Sequence, residues 1–425
     1  MYKGISSVAL VVGMGRAGML GYFGAGGVRS ERLEEVIRAI QAELRDGGSY
    51  GMNLLCNMEK PSQEDEVVDL YLRNRVARIE AAAYIQITPS IVRYRCKGLR
   101  RRLDGAVEAR NMILGKASRP EVAEQFLSPA PERILKSLLD SRKITPEEAA
   151  LAREVPIADD LCAEADSGGH TDQAVAATLI PAMVVVRDRM MQRFGYTKKI
   201  RVGAAGGIGT PHAAASAFIL GADFILTGSI NQCTVEAGTS DAAKDMLQQA
   251  GVQDTAIAPA GDMFELGAKV QVLKRGLLFP ARANKLYELY RNHGSLEEID
   301  EKTREQIQTK YFKRSFEEVW EETRQYYMSY MPEVIERAEG NPKHKLALIF
   351  RWYFVHSTRL SMKGSEAQRV DYQIQCGPAM GAFNEYVKGT HLESWRNRHA
   401  DQIAELLMKN TATLLQQRLA ELTTR

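Results

Sequence analysis

The feature of this sequence that most constrains its fold is a regular alternation of strand-like and helix-like segments through the first half of the chain. Short apolar runs at Tyr50 to Asn57, Met112 to Ala117 and Asp160 to Glu164 predict strands, and the segments between them have the apolar spacing of amphipathic helices. Strands and helices that alternate every 25 to 30 residues or so form βαβ units with a parallel sheet. Because so many units follow in series, we predict an α/β fold of the (β/α)8 TIM-barrel type.

This alternation is interrupted once and then ends, which divides the chain. Residues 129–157 carry prolines and acidic residues at the starts of helices, and predict a helical insertion. From residue 284 the chain is charge-dense, rich in long side chains, and without strand alternation. We therefore predict a barrel over residues 1–283 and a helical C-terminal domain over residues 284–425.

Composition argues against several classes of protein. A chain of 425 residues with 45% hydrophobic content can bury a large core, and a net charge of +3 gives no argument for nucleic-acid binding. The five cysteines are odd in number and lack metal-ligand spacing, so we expect reduced thiols, no metal site and a cytoplasmic location. No apolar run reaches the roughly 18 residues that a membrane span needs.

Near the N-terminus, three glycines have the GxGxxG spacing of a dinucleotide-binding fold. That fingerprint requires a helix to open at its third glycine, here Gly18, but Met19 to Phe23 predicts a strand. The acidic residue expected about twenty positions later is also missing, because Glu34 and Glu35 lie within a helical pattern. We predict a helix from Ser6 to about Met14 instead.

The glycine-rich stretch VGAAGGIGT, Val202 to Thr210, predicts a phosphate-binding turn. Gly206, Gly207 and Gly209 would allow backbone amides to approach a phosphate, and a helix starting at Pro211 would add its positive end.

A second turn of small residues, Thr227, Gly228 and Ser229, ends the next predicted strand. Two such turns on consecutive late strands form the phosphate site of many barrels, although glycines also occur in ordinary tight turns.

The stretch AEADSGGHTD, Ala163 to Asp172, predicts a catalytic histidine. His170 follows two glycines at the end of a predicted strand, in a loop too small to shield it. We expect it to donate a proton or to polarise a carbonyl. Glu164 and Asp166 either orient it, bind a cofactor hydroxyl, or are solvated loop acids.

Three further features carry polar groups that need an explanation. Asn53 is a polar residue within an apolar strand and needs a partner if it faces the barrel. Lys116 would place a cation at the barrel mouth, or extend to the surface. One dense basic run is either a solvated face or a surface for an anionic partner; its cations are Arg93, Arg95, Lys97, Arg100, Arg101 and Arg102.

Long motifs across essentially the whole chain resemble the PfaD-type trans-acting enoyl reductases of bacterial polyketide and polyunsaturated fatty acid synthases. These reductases belong to a wider FMN-dependent barrel group that includes nitronate monooxygenases. The motifs are EADSGGHTD, RVGAAGGIGTP, TGSINQCTVEAGTSDAAKDML, DMFELGAKVQVLKRGLLFP, KLYELY, RSFEEVWEETR and DYQIQCGPAMGAFNEYVKGT.

The resemblance implies a flavin site and a catalytic histidine. His170 matches the catalytic position of the GGH motif, and residues 376–381 match a late glycine loop that would return to the flavin. Relatives continue upstream of MYKGISS with a stretch that supplies the first barrel strand, so either the start of the sequence is misplaced or, as we expect, the barrel here lacks that strand. The residues expected to bind FMN are Gly18, Met19, Asn53, Lys116, Glu164, Ser167, Gly168, Gly169, Ala205, Gly206, Gly207, Thr227, Gly228 and Ser229.

The function implied by the resemblance is an FMN-dependent enoyl reductase that consumes NADPH. It would act in trans on 2-enoyl thioesters bound to acyl carrier protein, and we expect a homo-oligomer. Because acyl carrier proteins are acidic, the basic run between Arg93 and Arg102 is the expected docking surface. The alternatives are a nitronate monooxygenase, and an inactive or structural barrel fragment of a megasynthase.

Overall fold

The computed structural model describes residues 2–45, 47–57, 60–329 and 331–423. These residues form two compact units. The barrel unit contains the chain up to Asp166, Asp172–Gly238, and the chain from Tyr386 onwards. The second unit contains Ser167–Thr171 and Thr239–Glu385. The sequence-based boundary between residues 283 and 284 stays a prediction, although that position falls inside the second unit.

The secondary structure follows the predicted alternation closely. The strands are β1 (Gly21–Phe23), β2 (Tyr50–Leu55), β3 (Arg78–Ala82), β4 (Arg100–Arg101), β5 (Val107–Glu108), β6 (Met112–Ala117), β7 (Asp160–Glu164), β8 (Gly169–His170), β9 (Arg201–Ala205), β10 (Phe224–Leu226), β11 (Thr255–Pro259) and β12 (Lys269–Leu273). The helices are α1 (Val8–Arg16), α2 (Ser30–Glu43), α3 (Pro61–Arg73), α4 (Pro89–Cys96), α5 (Pro120–Leu127), α6 (Glu132–Asp140), α7 (Pro146–Ala152), α8 (Ala176–Phe194), α9 (Pro211–Ile219), α10 (Ser229–Gln232), α11 (Asp241–Leu247), α12 (Phe279–Asn292), α13 (Glu301–Gln306), α14 (Phe316–Met328), α15 (Pro332–Glu339), α16 (Pro342–Lys363), α17 (Ala379–Tyr386) and α18 (Ala400–Thr423).

The barrel unit is built around a parallel sheet of seven strands in the order β1-β2-β3-β6-β7-β9-β10. Its central strands are buried on both faces, as the continuous apolar runs predicted; Leu161, Cys162 and Ala163 of β7 are fully buried. Within the described residues β1 and β10 do not pair, so the sheet curls as a half-barrel with two edges. This confirms the predicted TIM-type fold, and α6 and α7 confirm the helical insertion.

The N-terminal glycines belong to this barrel pattern and not to a dinucleotide-binding turn. Helix α1 begins after Ser7, whose hydroxyl accepts a hydrogen bond from the Leu10 amide, and ends before Gly18. Gly18 has a φ of +72° and leads into β1, so no helix opens at the third glycine. The prediction of a helix followed by a strand is confirmed.

The last helix of the chain belongs to the barrel unit. Helix α18 packs against α9 and α1, and Leu10, Ala237 and Ala400 form a buried apolar cluster there. The Thr411 hydroxyl lies 3.4 Å from the carbonyl oxygen of Pro211, which starts α9. The C-terminal residues therefore cover the helix that follows the predicted phosphate turn.

The second unit combines a small sheet with a mostly aromatic helical core. Strands β11, β12 and β8 form an antiparallel sheet in that order, which the sequence did not predict. Phe264, Phe279, Phe312 and Tyr353 are among the largest fully buried side chains of this unit. None of the described helices is long and apolar enough to cross a membrane.

Candidate active site

The glycine turn after β9 has the backbone geometry that its sequence predicts. Gly206 and Gly207 both have positive φ angles, +90° and +72°. A Cβ atom at Gly206 would lie only 2.5 Å from the Ala165 carbonyl oxygen, so this position tolerates no side chain. Helix α9 follows at once, and its N-cap Thr210 accepts a hydrogen bond from the Ala213 amide. The turn therefore joins a strand end to a helix N-terminus, which is the usual setting for a phosphate.

The second small-residue turn lies beside the first. Strands β9 and β10 are parallel neighbours, so the turns that follow them both lie at the carboxyl-terminal ends of the strands. Thr227 and Asn231 fix the second turn: the side-chain Nδ2 of Asn231 donates to the Thr227 carbonyl and to its hydroxyl, at 3.1 and 3.0 Å. Gly228 and Ser229 lie at the start of the short helix α10. The structure therefore brings the two predicted turns together.

A buried charged cluster lies in the strands next to these turns. The Lys116 ammonium is 2.8 Å from Glu164 Oε1 and 3.4 Å from Glu80 Oε1. Burial alone would lower the pKa of Lys116, but Glu164 and Glu80 raise it above its ordinary value. Glu164 pairs in register with Ala205, the last residue before the glycine turn. The cluster thus extends from the interior of the sheet to the predicted phosphate site.

Asn53 belongs to the same cluster and has an unsatisfied acceptor. Its side chain is 1% exposed, and its Nδ2 donates to the carbonyl and to Oε2 of Glu80, both at 3.3 Å. Among the residues that the structure describes, no donor reaches Asn53 Oδ1 or forms a hydrogen bond to Glu80 Oε1. Buried polar atoms of this kind nearly always have a partner, so the cluster fits a bound polar group.

Glu80 is a site residue that the sequence analysis did not identify. It lies in the middle of β3 and is fully buried, with Asn53 beside it in β2. The sequence did contain a clue to Glu80, because a carboxylate within the apolar strand RIEAA is costly to bury without a cation. Lys116 supplies that cation.

Gly18 and Met19 are the predicted flavin residues that the sheet topology does not bring to this site. Both precede β1, so they lie at the amino-terminal ends of the parallel strands. Gly206 follows β9 and lies at the carboxyl-terminal ends. Their assignment to a cofactor stays a prediction.

His170 lies in the second unit, on the two-residue strand β8. Its backbone pairs with Val270 of β12, and its side chain is 47% exposed. His170 Nε2 is 3.0 Å from Oδ1 of Asp262, a residue that the sequence analysis did not identify. The histidine is therefore both accessible and held by a carboxylate, an arrangement that suits proton transfer.

The late glycine loop packs directly against the turn that precedes this histidine. A Cβ atom at Gly168 would lie 2.7 Å from the Gly377 nitrogen, and the Cys376 amide donates to the Gln271 carbonyl at 3.2 Å. The prediction that residues 376–381 reach a flavin is untested, but within the second unit the loop lies beside the histidine turn. The flavin roles of Ser167, Gly168 and Gly169 likewise stay predictions.

The basic run is not one continuous exposed surface. Arg93 and Arg95 are buried, at 6% and 3% exposure, because they pair with Asp65, Asp69 and Asp159 inside the barrel unit. Their assignment to a docking surface is therefore wrong. The other cations are more exposed and each lies within 4.0 Å of a carboxylate; the pairs are Lys97–Glu148, Arg100–Glu108, Arg101–Glu154 and Arg102–Asp104.

Two family models match the sequence. The model described as nitronate monooxygenase matches residues 1–275. The chain belongs to the nitronate monooxygenase family. The second model, described as the inserted helical domain of acyl-carrier-protein S-malonyltransferase, matches residues 293–372 of this family member.

The curated relatives of this nitronate monooxygenase family member are longer proteins. The polyketide biosynthesis protein PksE of Bacillus subtilis (strain 168) is 59% identical over 419 residues, which is 99% of this chain and 54% of PksE. The polyketide biosynthesis protein ThaF of Burkholderia thailandensis is 52% identical over 418 residues, or 98% of this chain and 36% of ThaF. A polyunsaturated fatty acid synthase protein of Thraustochytrium sp. is 45% identical over 397 residues, or 92% of this chain and 26% of that protein. The chain therefore spans about half of PksE and less of the other two.

A solved structure matches almost the whole chain. The enoyl reductase domain of MlnA, from the macrolactin biosynthesis cluster of Bacillus amyloliquefaciens, is 46% identical with a TM-score of 0.96. The match covers 99% of this chain and 94% of that one. It confirms the resemblance to polyketide and polyunsaturated fatty acid synthase enoyl reductases.

Proposed function

We propose that this chain is an FMN-dependent enoyl reductase that consumes NADPH and acts in trans on 2-enoyl thioesters carried by acyl carrier protein. The observation that carries the proposal is its likeness to the MlnA enoyl reductase domain, at 46% identity and a TM-score of 0.96. The pathway would be polyketide or polyunsaturated fatty acid biosynthesis, which the names of PksE and of the Thraustochytrium synthase protein indicate for those relatives.

FMN fits the residues that the barrel unit presents. Gly206 and Gly207 form a turn at positive φ that leads directly into α9, whose N-terminus adds the positive end of its dipole. The Asn53 side chain has a buried acceptor without a donor among the described residues, and the flavin ring carries N–H groups. The residues proposed to hold FMN are Asn53, Lys116 and Glu164 at the ring, and Ala205, Gly206, Gly207, Thr227, Gly228 and Ser229 at the phosphate.

When bound, FMN would supply the hydride chemistry of the reaction, with NADPH as the hydride source and the β-carbon of the enoyl thioester as the acceptor. Addition of hydride leaves negative charge on the thioester enolate, which then needs a proton at its α-carbon. We propose that His170 donates this proton, because it is accessible and already hydrogen-bonded to a carboxylate. The proton is regained from solvent.

The decisive experiment follows the colour of the purified protein. We expect a bound flavin that NADPH bleaches under anaerobic conditions and that a crotonyl thioester reoxidises. His170→Gln should retain flavin and bleaching by NADPH, but slow reoxidation by the thioester by about 100-fold or more. A protein without flavin, or a reduced flavin that no enoyl thioester reoxidises, would contradict the proposal and would favour the alternative of an inactive barrel.

A nitronate monooxygenase is the second candidate, because the family model of that description matches residues 1–275. It would use the same barrel residues and a histidine, but its reduced flavin would react with oxygen. Bleaching of the flavin by an alkyl nitronate and not by NADPH would support this candidate. Bleaching by NADPH followed by thioester-dependent reoxidation excludes it.

We propose that the carrier protein meets the exposed remainder of the basic run, Arg100, Arg101 and Arg102. All three are exposed, with 73%, 46% and 58% of the side chain accessible, and exposed ion pairs are weak enough to exchange partners. The triple variant R100E/R101E/R102E should lose activity on a carrier-bound substrate and retain activity on the free pantetheine thioester.

A matched triple variant separates docking from general charge. Helices α2 and α3 carry three exposed arginines that can be reversed in the same way: Arg32, Arg38 and Arg73. If this control loses carrier-dependent activity to the same extent, the surface assignment is wrong.

We also expect a homo-oligomer, which light scattering of the purified protein checks.

A further inference from the structure

We propose that Asp262 is a positioning residue for His170, fixing its ring orientation and its Nε2–H tautomer and favouring its protonated form. This inference rests on the proposed function, because it gives His170 the proton that enoyl reduction needs. Both residues lie in the second unit, so the pairing is a feature of that unit alone.

The pairing follows from the way the small antiparallel sheet is built. Asp262 lies in the connection between β11 and β12, where Pro259 pairs with Lys269. On its other side β12 pairs with β8, where Val270 opposes His170. The connection that carries Asp262 is therefore brought over the histidine strand, and Oδ1 comes to 3.0 Å from Nε2.

The backbone on both sides of this contact is held in place. The Thr171 amide donates to the Lys269 carbonyl at 3.3 Å, which fixes the residue after His170. The guanidinium of Arg351, from α16, donates to the Asp262 carbonyl at 3.3 Å. With both backbones fixed, the remaining freedom is rotation of the imidazole, and the carboxylate selects one orientation of it.

The charge on Asp262 suits this role. Crowding by neighbouring protein atoms raises the pKa of Asp262, but its contact with His170 and the nearby Arg351 charge lower it by more, so the group is an anion at neutral pH. Two other charged groups lie near this pair along the chain: Glu265, which lies 3.0 Å from the buried His344, and Lys269, which begins β12.

The proton balance of the step is simple. The imidazolium gives one proton to the α-carbon and becomes the neutral tautomer whose Nε2–H still donates to Asp262. Solvent then returns a proton to the ring, since the two side chains are 47% and 66% exposed. Asp262 itself changes neither charge nor protonation, as is expected of a carboxylate that orients a histidine.

The first test requires no turnover. The ring of His170 is titrated by NMR in ¹⁵N-histidine protein, with H170Q used to assign its signal. In D262N we expect the proton affinity of His170 to fall about tenfold and the Nδ1–H tautomer to gain population. E288Q, which removes an exposed carboxylate of the same unit that pairs with Lys285, should change neither. An unchanged His170 signal in D262N would overturn the inference.

The second test is kinetic. D262N should lower kcat for thioester reduction by about 10-fold to 100-fold with little change in KM, and D262E should restore part of it. Because the protonated ring is the donor, activity falls as pH rises through the pKa of His170, and this decline should begin at lower pH in D262N. Equal profiles for D262N and E288Q would overturn the role. Coupling seen by NMR without any thioester reduction would instead overturn the proposed function and leave the pairing intact.

Discussion

The buried ion pair of Lys116 allows a sharp test of how the barrel interior is stabilised. The perturbation is Lys116→Met, which keeps the length and most of the apolar stem but removes the charge. Lys116 is 12% exposed, Glu80 is fully buried and Glu164 is 24% exposed. The variant therefore leaves one carboxylate in the interior without a cation, and a second that solvent can still reach.

The expected cost follows from that difference in burial. Breaking a buried pair by removing one partner costs about 3–5 kcal/mol, whereas an exposed pair is worth about 0–1 kcal/mol. Most of the loss should come from Glu80, so we expect the free energy of unfolding to fall by about 3 kcal/mol. The double variant E80Q/K116M leaves no buried charge, and should recover about half of this loss or more.

The dependence on pH has a definite sign. The pKa of Lys116 is raised above its ordinary value, so its stabilisation is present at neutral pH and is lost only as pH rises through the raised value. In K116M the buried carboxylate that has lost its cation takes up a proton when the protein folds. The folded state of the variant therefore becomes more stable relative to the unfolded state as pH falls. The deficit of the variant should therefore shrink between neutral pH and about pH 5.

The assay is urea unfolding followed by circular dichroism at the two pH values. Lys143→Met is the matched control, because Lys143 lies in the same unit, is 41% exposed, and pairs with Asp65. It should change the free energy of unfolding by less than about 1 kcal/mol. A K116M deficit as small as this control, or a double variant less stable than K116M, would refute the reasoning.

Four other substitutions probe the turns and the basic run. Gly206→Ala should weaken FMN binding at least about tenfold in a fluorescence titration, because its Cβ would lie 2.5 Å from a carbonyl oxygen; Gly207→Ala, with no atom within 4 Å, should weaken it less. Gly168→Ala should slow thioester reduction, because its Cβ would lie 2.7 Å from the Gly377 nitrogen and displace the histidine turn; stopped-flow kinetics measures this. Arg95→Leu should lower the free energy of unfolding by about 3 kcal/mol or more, measured by urea denaturation.

The sequence predicted the barrel well because its signals are local. The predicted strand from Met112 to Ala117 is the observed β6, and the predicted helix start at Pro211 is the observed start of α9. In each case a few neighbouring residues determine the outcome: alternating or continuous apolar runs for strands, and a capping threonine before proline for the helix. The glycine turn was predictable for the same reason, because glycine at positive φ is a property of single residues.

The sequence could not predict contacts that depend on strand pairing. Strand β8 has only two residues, too few for any periodicity, and its partner β12 begins about a hundred residues later. Asp262 lies 92 residues from His170 along the chain, so only the antiparallel sheet brings the two together. Glu80 was missed for a related reason: its role depends on Asn53 in one neighbouring strand and Lys116 in the other.

The basic run shows most clearly why charge along a chain differs from charge in space. Counting cations between Arg93 and Arg102 predicts one anion-binding surface, but α4 directs Arg93 and Arg95 into the unit. There Arg95 donates to Asp159 and to the carbonyls of Pro156 and Asn111, so it joins the insertion to the barrel. Only the positive charge that stays exposed after such pairing can attract an acidic carrier protein. Docking must therefore be tested on the arginines of the β4–β5 hairpin, by charge reversal there and not across the whole run.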